Sequence, residues 1–272
     1  PFLLRCLALV LVILVLARPQ TTNKWQNSEI EGIDIMLAID VSTSMLAEDL
    51  KPNRLEAAKD VAAEFINGRP NDNIGITLFA GETFTQCPLT VDHAVLLDMI
   101  HNIKCGLITD GTAVGMGIAN AVTRLKDSKA KSKVIILLTD GTNNKGDISP
   151  MTAAEIAKSF GIRVYTIGVG TNGMAPYPYP VGNTVQYVSM PVEIDEKTLT
   201  EIAGTTDGNY FRATSNSKLK EVYEEIDKLE KTKLNVKEYS KRDEEYHWFA
   251  LAAFLCVLLE VLLRNSVLKK IP

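Results

Sequence analysis

Apolar and polar positions divide the chain into two apolar ends and an alternating middle. Residues Phe2 to Ala17 read FLLRCLALVLVILVLA, with Arg5 as the only charge, and Trp248 to Leu263 read WFALAAFLCVLLEVLL, with Glu260 as the only charge. Each run would rise roughly 24 Å as a helix, short of the ~20 residues that comfortably span a bilayer, so flanking residues must complete a crossing. The second run has suitable flanks: Tyr246, His247 and Trp248 form an aromatic edge, and Arg264, Lys269 and Lys270 follow without an acid. Neither run has a polar face, so a membrane helix at each end, 1–18 and 246–264, outweighs a pair of buried core helices. The first run has a rival reading as a secretory signal peptide, because Val15 and Ala17 stand where small residues precede a cleavage site. The positive-inside rule puts the tail 265–272 in the cytoplasm and the intervening domain outside it, although Arg18, Lys24, Lys237, Lys241 and Arg242 blunt the bias.

Between the ends, a polar linker (19–31) leads into alternating strand and helix patterns over 32–231, followed by a Lys- and Glu-rich stalk (232–245). Ile33 to Ile39 is a nearly continuous apolar run ending at Asp40, as a central parallel strand buried on both faces requires. Leu55, Ala58, Val61, Ala62 and Phe65 recur at helical spacing behind Asn53, a natural cap. Further strands are expected at 74–79, 134–138, 162–169 and 209–212, and further helices at 91–100, 113–125, 152–160, 194–203 and 219–229. This alternation predicts an α/β fold, a doubly wound, mostly parallel central sheet flanked by helices. One segment breaks the rhythm: Met174 to Met190, MAPYPYPVGNTVQYVSM, whose Tyr-Pro repeats forbid a helix and whose Gly182-Asn183 pair suggests a hairpin turn. It reads first as a surface loop, and second as an exposed aromatic contact surface.

Composition changes little in this picture. The net charge of −4 is spread over both signs, so no basic patch points to nucleic acid. Cys6 and Cys256 lie in the apolar runs as filler, whereas Cys87 and Cys105 lie in the alternating region, where a disulfide and two free thiols are equally open readings. No C-x-x-C or Cys/His cluster offers a structural zinc site.

The candidate chemistry is carried by Asp40, Ser42 and Ser44, in D-V-S-T-S directly after the first buried strand. In an open parallel sheet, ligands bind in the crevice at the carboxyl ends of the strands. Asp140, in L-L-T-D-G, ends another buried strand, and Thr112, in D-G-T-A-V-G, opens a helix between them in sequence. All five side chains offer only oxygen, a donor set suited to Mg²⁺ or Mn²⁺, with Ca²⁺ as a further candidate. Two carboxylates merely neutralise a divalent ion, leaving it attractive to an external acid from a partner protein.

The pattern resembles the metal-ion-dependent adhesion site of von Willebrand factor A domains, with all five family positions filled. The resemblance implies that Ser42, Ser44 and Thr112 bind metal directly or nearly so, that Asp40 and Asp140 act through water, and that a partner Glu or Asp completes the shell. An A-type domain between an A-R-P-Q-terminated apolar segment and a second apolar run is also similar to the BatA proteins of the aerotolerance operon. G-E-T-F-T-Q-C-P-L-T, D-G-T-A-V-G-M-G, L-L-T-D-G-T-N-N and Y-T-I-G-V-G-T carry that similarity. It implies a multi-pass protein of the bacterial inner membrane with a periplasmic domain, usually preceded by one further membrane segment. MoxR-type ATPases and other A-domain membrane proteins are then the expected partners.

Other motifs carry less. Gly168, Gly170 and Gly173 spell G-x-G-x-x-G after a strand, but Pro176, Pro178 and Pro180 follow where a phosphate-binding helix would have to start. His93, His101 and His247 have no partner at ligand spacing. The rival to a binding module is a metal-dependent hydrolase with Asp40 as nucleophile or Asp140 as base, for which the motifs supply no poised acid-base group beside the ion.

Overall fold

The computed structural model describes residues 2–17, 20–21, 32–140, 142–171, 173–181, 184–192, 194–238, 243–244 and 246–266. In chain order its elements are α1 (Phe2–Leu16), β1 (Gln20–Thr21), β2 (Asp34–Asp40), a 3-10 turn (Thr43–Leu46), α2 (Arg54–Asn67), β3 (Asn73–Phe79), β4 (Thr83–Thr90), α3 (His93–His101), α4 (Val114–Leu125), β5 (Lys133–Thr139), α5 (Pro150–Ser159), β6 (Arg163–Val169), β7 (Gly173–Val181), β8 (Thr184–Val192), α6 (Glu196–Thr205), β9 (Tyr210–Ala213), α7 (Asn216–Glu238), β10 (Asp243–Glu244) and α8 (Tyr246–Ser266). They fall into two units, Ile30–Leu234 and the pair Pro1–Glu29 with Asn235–Pro272.

In the larger unit six strands form one sheet in the order β4-β3-β2-β5-β6-β9. All neighbours are parallel except the edge pair β3 and β4. Continuous apolar strands such as Ile35-Met36-Leu37-Ala38-Ile39 send alternate side chains to opposite faces, and both faces are covered. Ile35, Leu37 and Ile39 meet a core built with α2, α3 and α7, whereas Met36 and Ala38 meet one built with α4, α5 and α6. Helix α2 starts where Asn53 accepts a hydrogen bond from the Glu56 amide at 2.8 Å. At the end of the sheet where β5 and β6 begin, Glu230 of α7 is buried and accepts hydrogen bonds from Ser132 Oγ (2.8 Å), Arg163 Nε (2.9 Å) and Tyr165 OH (2.6 Å). Those bonds fasten α7 to two adjacent strands.

The edge strand β4 departs from the sequence reading, which placed no strand between Phe79 and Val91. Pro88 obscures the alternation there. It is accommodated where the register slips between the pairs Ile74–Thr90 and Ile76–Cys87, an irregularity of the kind that edges tolerate. The Tyr-Pro segment also proves to be regular: β7 and β8 pair antiparallel from Gly173–Val192 to Val181–Thr184. The suggested turn, Gly182-Asn183, lies outside the described residues. Helix α7 continues to Glu238, so the expected stalk begins as helix; the expected linker lies largely outside the described residues.

In the smaller unit the apolar runs form α1 and α8, and Gln20–Thr21 pairs antiparallel with Asp243–Glu244. Many side chains remain open to solvent, among them Leu9, Ile13, Leu16, Trp248, Phe254 and Leu262. The expected membrane-crossing helix at each end is not met among the described residues, where no helix is long and apolar enough to cross. Helix α1, at 15 residues, rises only about 22 Å against a hydrocarbon core of ~30 Å.

Candidate metal centre

The sheet order sets the site. From β2 the chain crosses to β3 on one side, while β5 lies on the other, so the strand order reverses between β2 and β5. That switch point is where the loops after the two strands part and leave a crevice. Asp40 is the last residue of β2, and Asp140 follows the last residue of β5.

Asp40 is fully buried. Its Oδ1 accepts from the Ser42 amide at 2.9 Å, and its Oδ2 accepts from Thr139 Oγ1 at 2.6 Å. Ser42 caps the 3-10 turn that lifts Ser44 to the same side, and the two hydroxyl oxygens lie 2.9 Å apart. Ser44 Oγ donates to Asp140 Oδ1 at 2.7 Å. Thr112 is buried and lines one cleft with Ser44 and Asp140. The Thr112 amide donates to Asn144 Oδ1 at 2.9 Å, which ties its loop to the one that follows β5. The five residues named from the sequence therefore gather at one edge of the sheet. One detail differs: helix α4 is capped by Ala113, so Thr112 stands just ahead of the cap.

Electrostatics mark the cluster as short of positive charge. Burial, then the neighbouring Asp140, pushes the Asp40 carboxyl up to about 7. Burial also raises Asp140, opposed by Arg54 and Ser44. Arg54 Nη1 lies 2.7 Å from Asp140 Oδ2, so Asp140 has a protein cation beside it, whereas burial and Asp140 strain the anionic form of Asp40. A divalent ion would remove that strain, and the surrounding donors are all oxygen, so the residues present fit a hard cation. Among the described residues no group of three or more His, Cys, Asp or Glu is placed to hold a metal; beside the two carboxylates the further donors here are the hydroxyls of Ser42, Ser44 and Thr112.

Sequence reasoning missed the supports. Arg54 Nε and Nη2 also bind Asp49 at 2.7 and 2.6 Å, and Asp49 accepts from the Thr171 amide at 2.8 Å. Burial raises Asp49, but its bonds from Arg54 and Thr171 leave the carboxyl below its ordinary range. Asp110, in the same D-G-T as Thr112, accepts from the Thr43 amide (3.0 Å) and hydroxyl (2.9 Å), which joins the 3-10 turn to the Thr112 loop. The available signal was an arginine in the first turn of a helix otherwise buried on that face, where an unpaired charge is costly. Two of the G-x-G-x-x-G glycines have packing roles: a Cβ on Gly170 would stand 2.5 Å from the Arg54 guanidinium, and one on Gly168 3.0 Å from the Tyr210 hydroxyl, whereas one on Gly173 would meet nothing.

Cys105 Sγ donates to the Ser42 carbonyl at 3.5 Å, and Cys87 sits in β4; both thiols are free. Of the two readings left open by the sequence, the structure takes the unlinked one.

Fold and site together define a class: a doubly wound α/β domain with an all-oxygen cluster at the switch point of its sheet. Within it the chain belongs to the von Willebrand factor type A domain family, which it matches over residues 34–225. It is similar to the crystal structure of a conserved hypothetical protein, BatB, from Bacteroides thetaiotaomicron, at 34% identity and a TM-score of 0.65, covering 74% of this chain and all of that one. An aerotolerance-related membrane protein from Bacteroides fragilis is 34% identical with a TM-score of 0.63, over 72% of this chain and all of that one. Proximal thread matrix protein 1 from the mussel byssus, solved with zinc in its MIDAS motif, is 25% identical with a TM-score of 0.58, over 73% of this chain and 45% of that one.

Proposed function

We propose that this domain binds one divalent cation through Asp40, Ser42, Ser44, Thr112 and Asp140, and that the cation captures an Asp or Glu side chain of a partner protein. The observation that carries the reading is the pair of buried carboxylates flanking the switch point, linked through the Ser42 amide and the Ser42 and Ser44 hydroxyls. Mg²⁺ is the preferred ion, with Mn²⁺ or Ca²⁺ able to substitute, because the donors are hard oxygens with few charges. The cation supplies a positive centre; the chain's own residues hold it and set its charge balance. Asp40 and Asp140 cancel a divalent charge, while Arg54 and Asp49 cancel one another. An incoming carboxylate therefore meets no surplus of negative charge. A zinc-occupied MIDAS motif in the mussel relative supports the same reading.

The domain acts as a binding module rather than a hydrolase. The hydrogen bonds of Asp40 with Ser42 and Thr139, and of Asp140 with Ser44 and Arg54, favour a role in holding a cation over one as nucleophile or base. We further propose that the unit holding α1 and α8 lies at a bacterial cell membrane, with the domain on the extracytoplasmic side. Its exposed leucines and aromatics are costly in water, and one relative is described as a membrane protein. Other A-domain membrane proteins and a MoxR-type ATPase are the proposed company of such a module.

The test is binding of a fluorescent peptide with one glutamate to the full chain in detergent. Binding should appear with Mg²⁺ and vanish with EDTA and in Asp140→Ala; binding indifferent to all three would refute it.

A further inference from the structure

The cleft over the site has two unlike walls. Its volume is about 360 Å³, enough for one or two side chains. One wall is polar and includes Ser44, Thr112, Asp140 and Asn144; the other is the β7–β8 hairpin, presenting Ala175, Tyr177, Tyr179, Met190 and Val192. The register explains why these residues act together. Ala175 faces Met190, and Gly173 faces Val192, so odd positions of β7 and their cross-strand partners leave the same side of the hairpin. Ala175 is buried at the base, while Tyr179 and Met190 stay 57% and 46% exposed at the rim.

The hairpin is fixed relative to the cation residues. The Glu48 amide, just beyond the 3-10 turn, donates to the Pro176 carbonyl at 2.9 Å. Prolines at 176, 178 and 180 stiffen β7 and recur at every second residue. Alternate residues direct their N–H groups to the same edge of a strand, and Ala175, Tyr177 and Tyr179 serve the ladder to β8. The outer edge of β7 therefore has no N–H at the three proline positions, which rules out strand addition along it. Recognition is left to side chains entering the cleft. Tyrosine and methionine suit that task, since both bury large area and Met adapts its shape.

We infer that the hairpin is a specificity wall: the partner segment places beside its acidic residue an aromatic or large aliphatic side chain, which packs on Tyr177, Tyr179 and Met190. This rests on the cation reading above. Burying one such side chain amounts to at least about tenfold in affinity.

The experiment uses the full chain in detergent with Mg²⁺ and three labelled pentapeptides, each with one glutamate followed by Phe, Leu or Ala. The Phe and Leu peptides should bind at least about tenfold tighter than the Ala peptide. A Tyr179→Ser, Met190→Ser double variant should bring all three to the Ala level, with Mg²⁺ calorimetry showing that the cation site persists. Equal Mg²⁺-dependent binding of the three peptides overturns the specificity wall and leaves the cation reading standing. Absence of Mg²⁺-dependent binding to any peptide counts against both. If the peptides are not distinguished and the double variant instead loses self-association in sedimentation, the wall is covered by a second copy of the chain, and the proposal fails.

Discussion

Arg54 Nη1 lies 2.7 Å from Asp140 Oδ2, and the two side chains are 1% and 0% exposed. This ion pair lets a carboxylate stay charged at the floor of the cleft, and Arg54 is itself held by a two-point contact with Asp49. Removing the arginine strands two buried acids. Arg54→Met should cost about 3–5 kcal/mol in urea unfolding, with Arg54→Lys losing less but not recovering the two-point geometry.

Gly170 makes room for that arginine. Its φ is +123°, and a Cβ there would lie 2.5 Å from the guanidinium. Gly170→Ala should destabilise by about 1–3 kcal/mol in urea, whereas Gly161→Ala, also left-handed but with nothing near its Cβ, should cost less.

Glu230 predicts the acid limit of the fold. Burial raises its carboxyl, but Arg163, Tyr165 and Ser132 more than offset this, leaving it below its ordinary value of 4.5. A depressed carboxylate stabilises above its unfolded value, and that contribution is lost as pH falls through the lower folded one. Thermal unfolding from pH 7 to 3 should show wild type losing stability below about pH 4.5. Glu230→Gln should start less stable and change less over the same range.

The cysteines give a covalent check. Burial, then Asp40 and Asp140, pushes the Cys105 thiol up to about 12. In the folded protein at pH 8, iodoacetamide should modify Cys105 slowly. In denaturant without reductant, Cys87 and Cys105 should both alkylate fully, as mass spectrometry would show; a pair resistant until reduction would mean a disulfide.

The strands and helices were legible because burial on both faces writes continuous apolar runs, and Asn53 announced α2 as a cap. That Asp40, Ser42, Ser44, Thr112 and Asp140 gather at one edge was legible because each follows a buried strand or precedes a helix at the sheet's carboxyl edge. What pattern reading lost were features set by long-range pairing. Strand β4 was hidden by Pro88; a hairpin turn was suggested by Gly182-Asn183, but the strands β7 and β8 beside it were hidden by prolines that an exposed edge tolerates. Arg54 and Asp49 were hidden because partners so far apart in sequence as Arg54 and Asp140 show no local periodicity.

The most direct measurement is calorimetric titration of Mg²⁺ into the full chain, compared with Asp40→Asn, Thr112→Val and Asp140→Ala. A single site in wild type, weakened at least about tenfold by each substitution, is the predicted result. Equal heats in wild type and all three variants would contradict a cation held at the switch point.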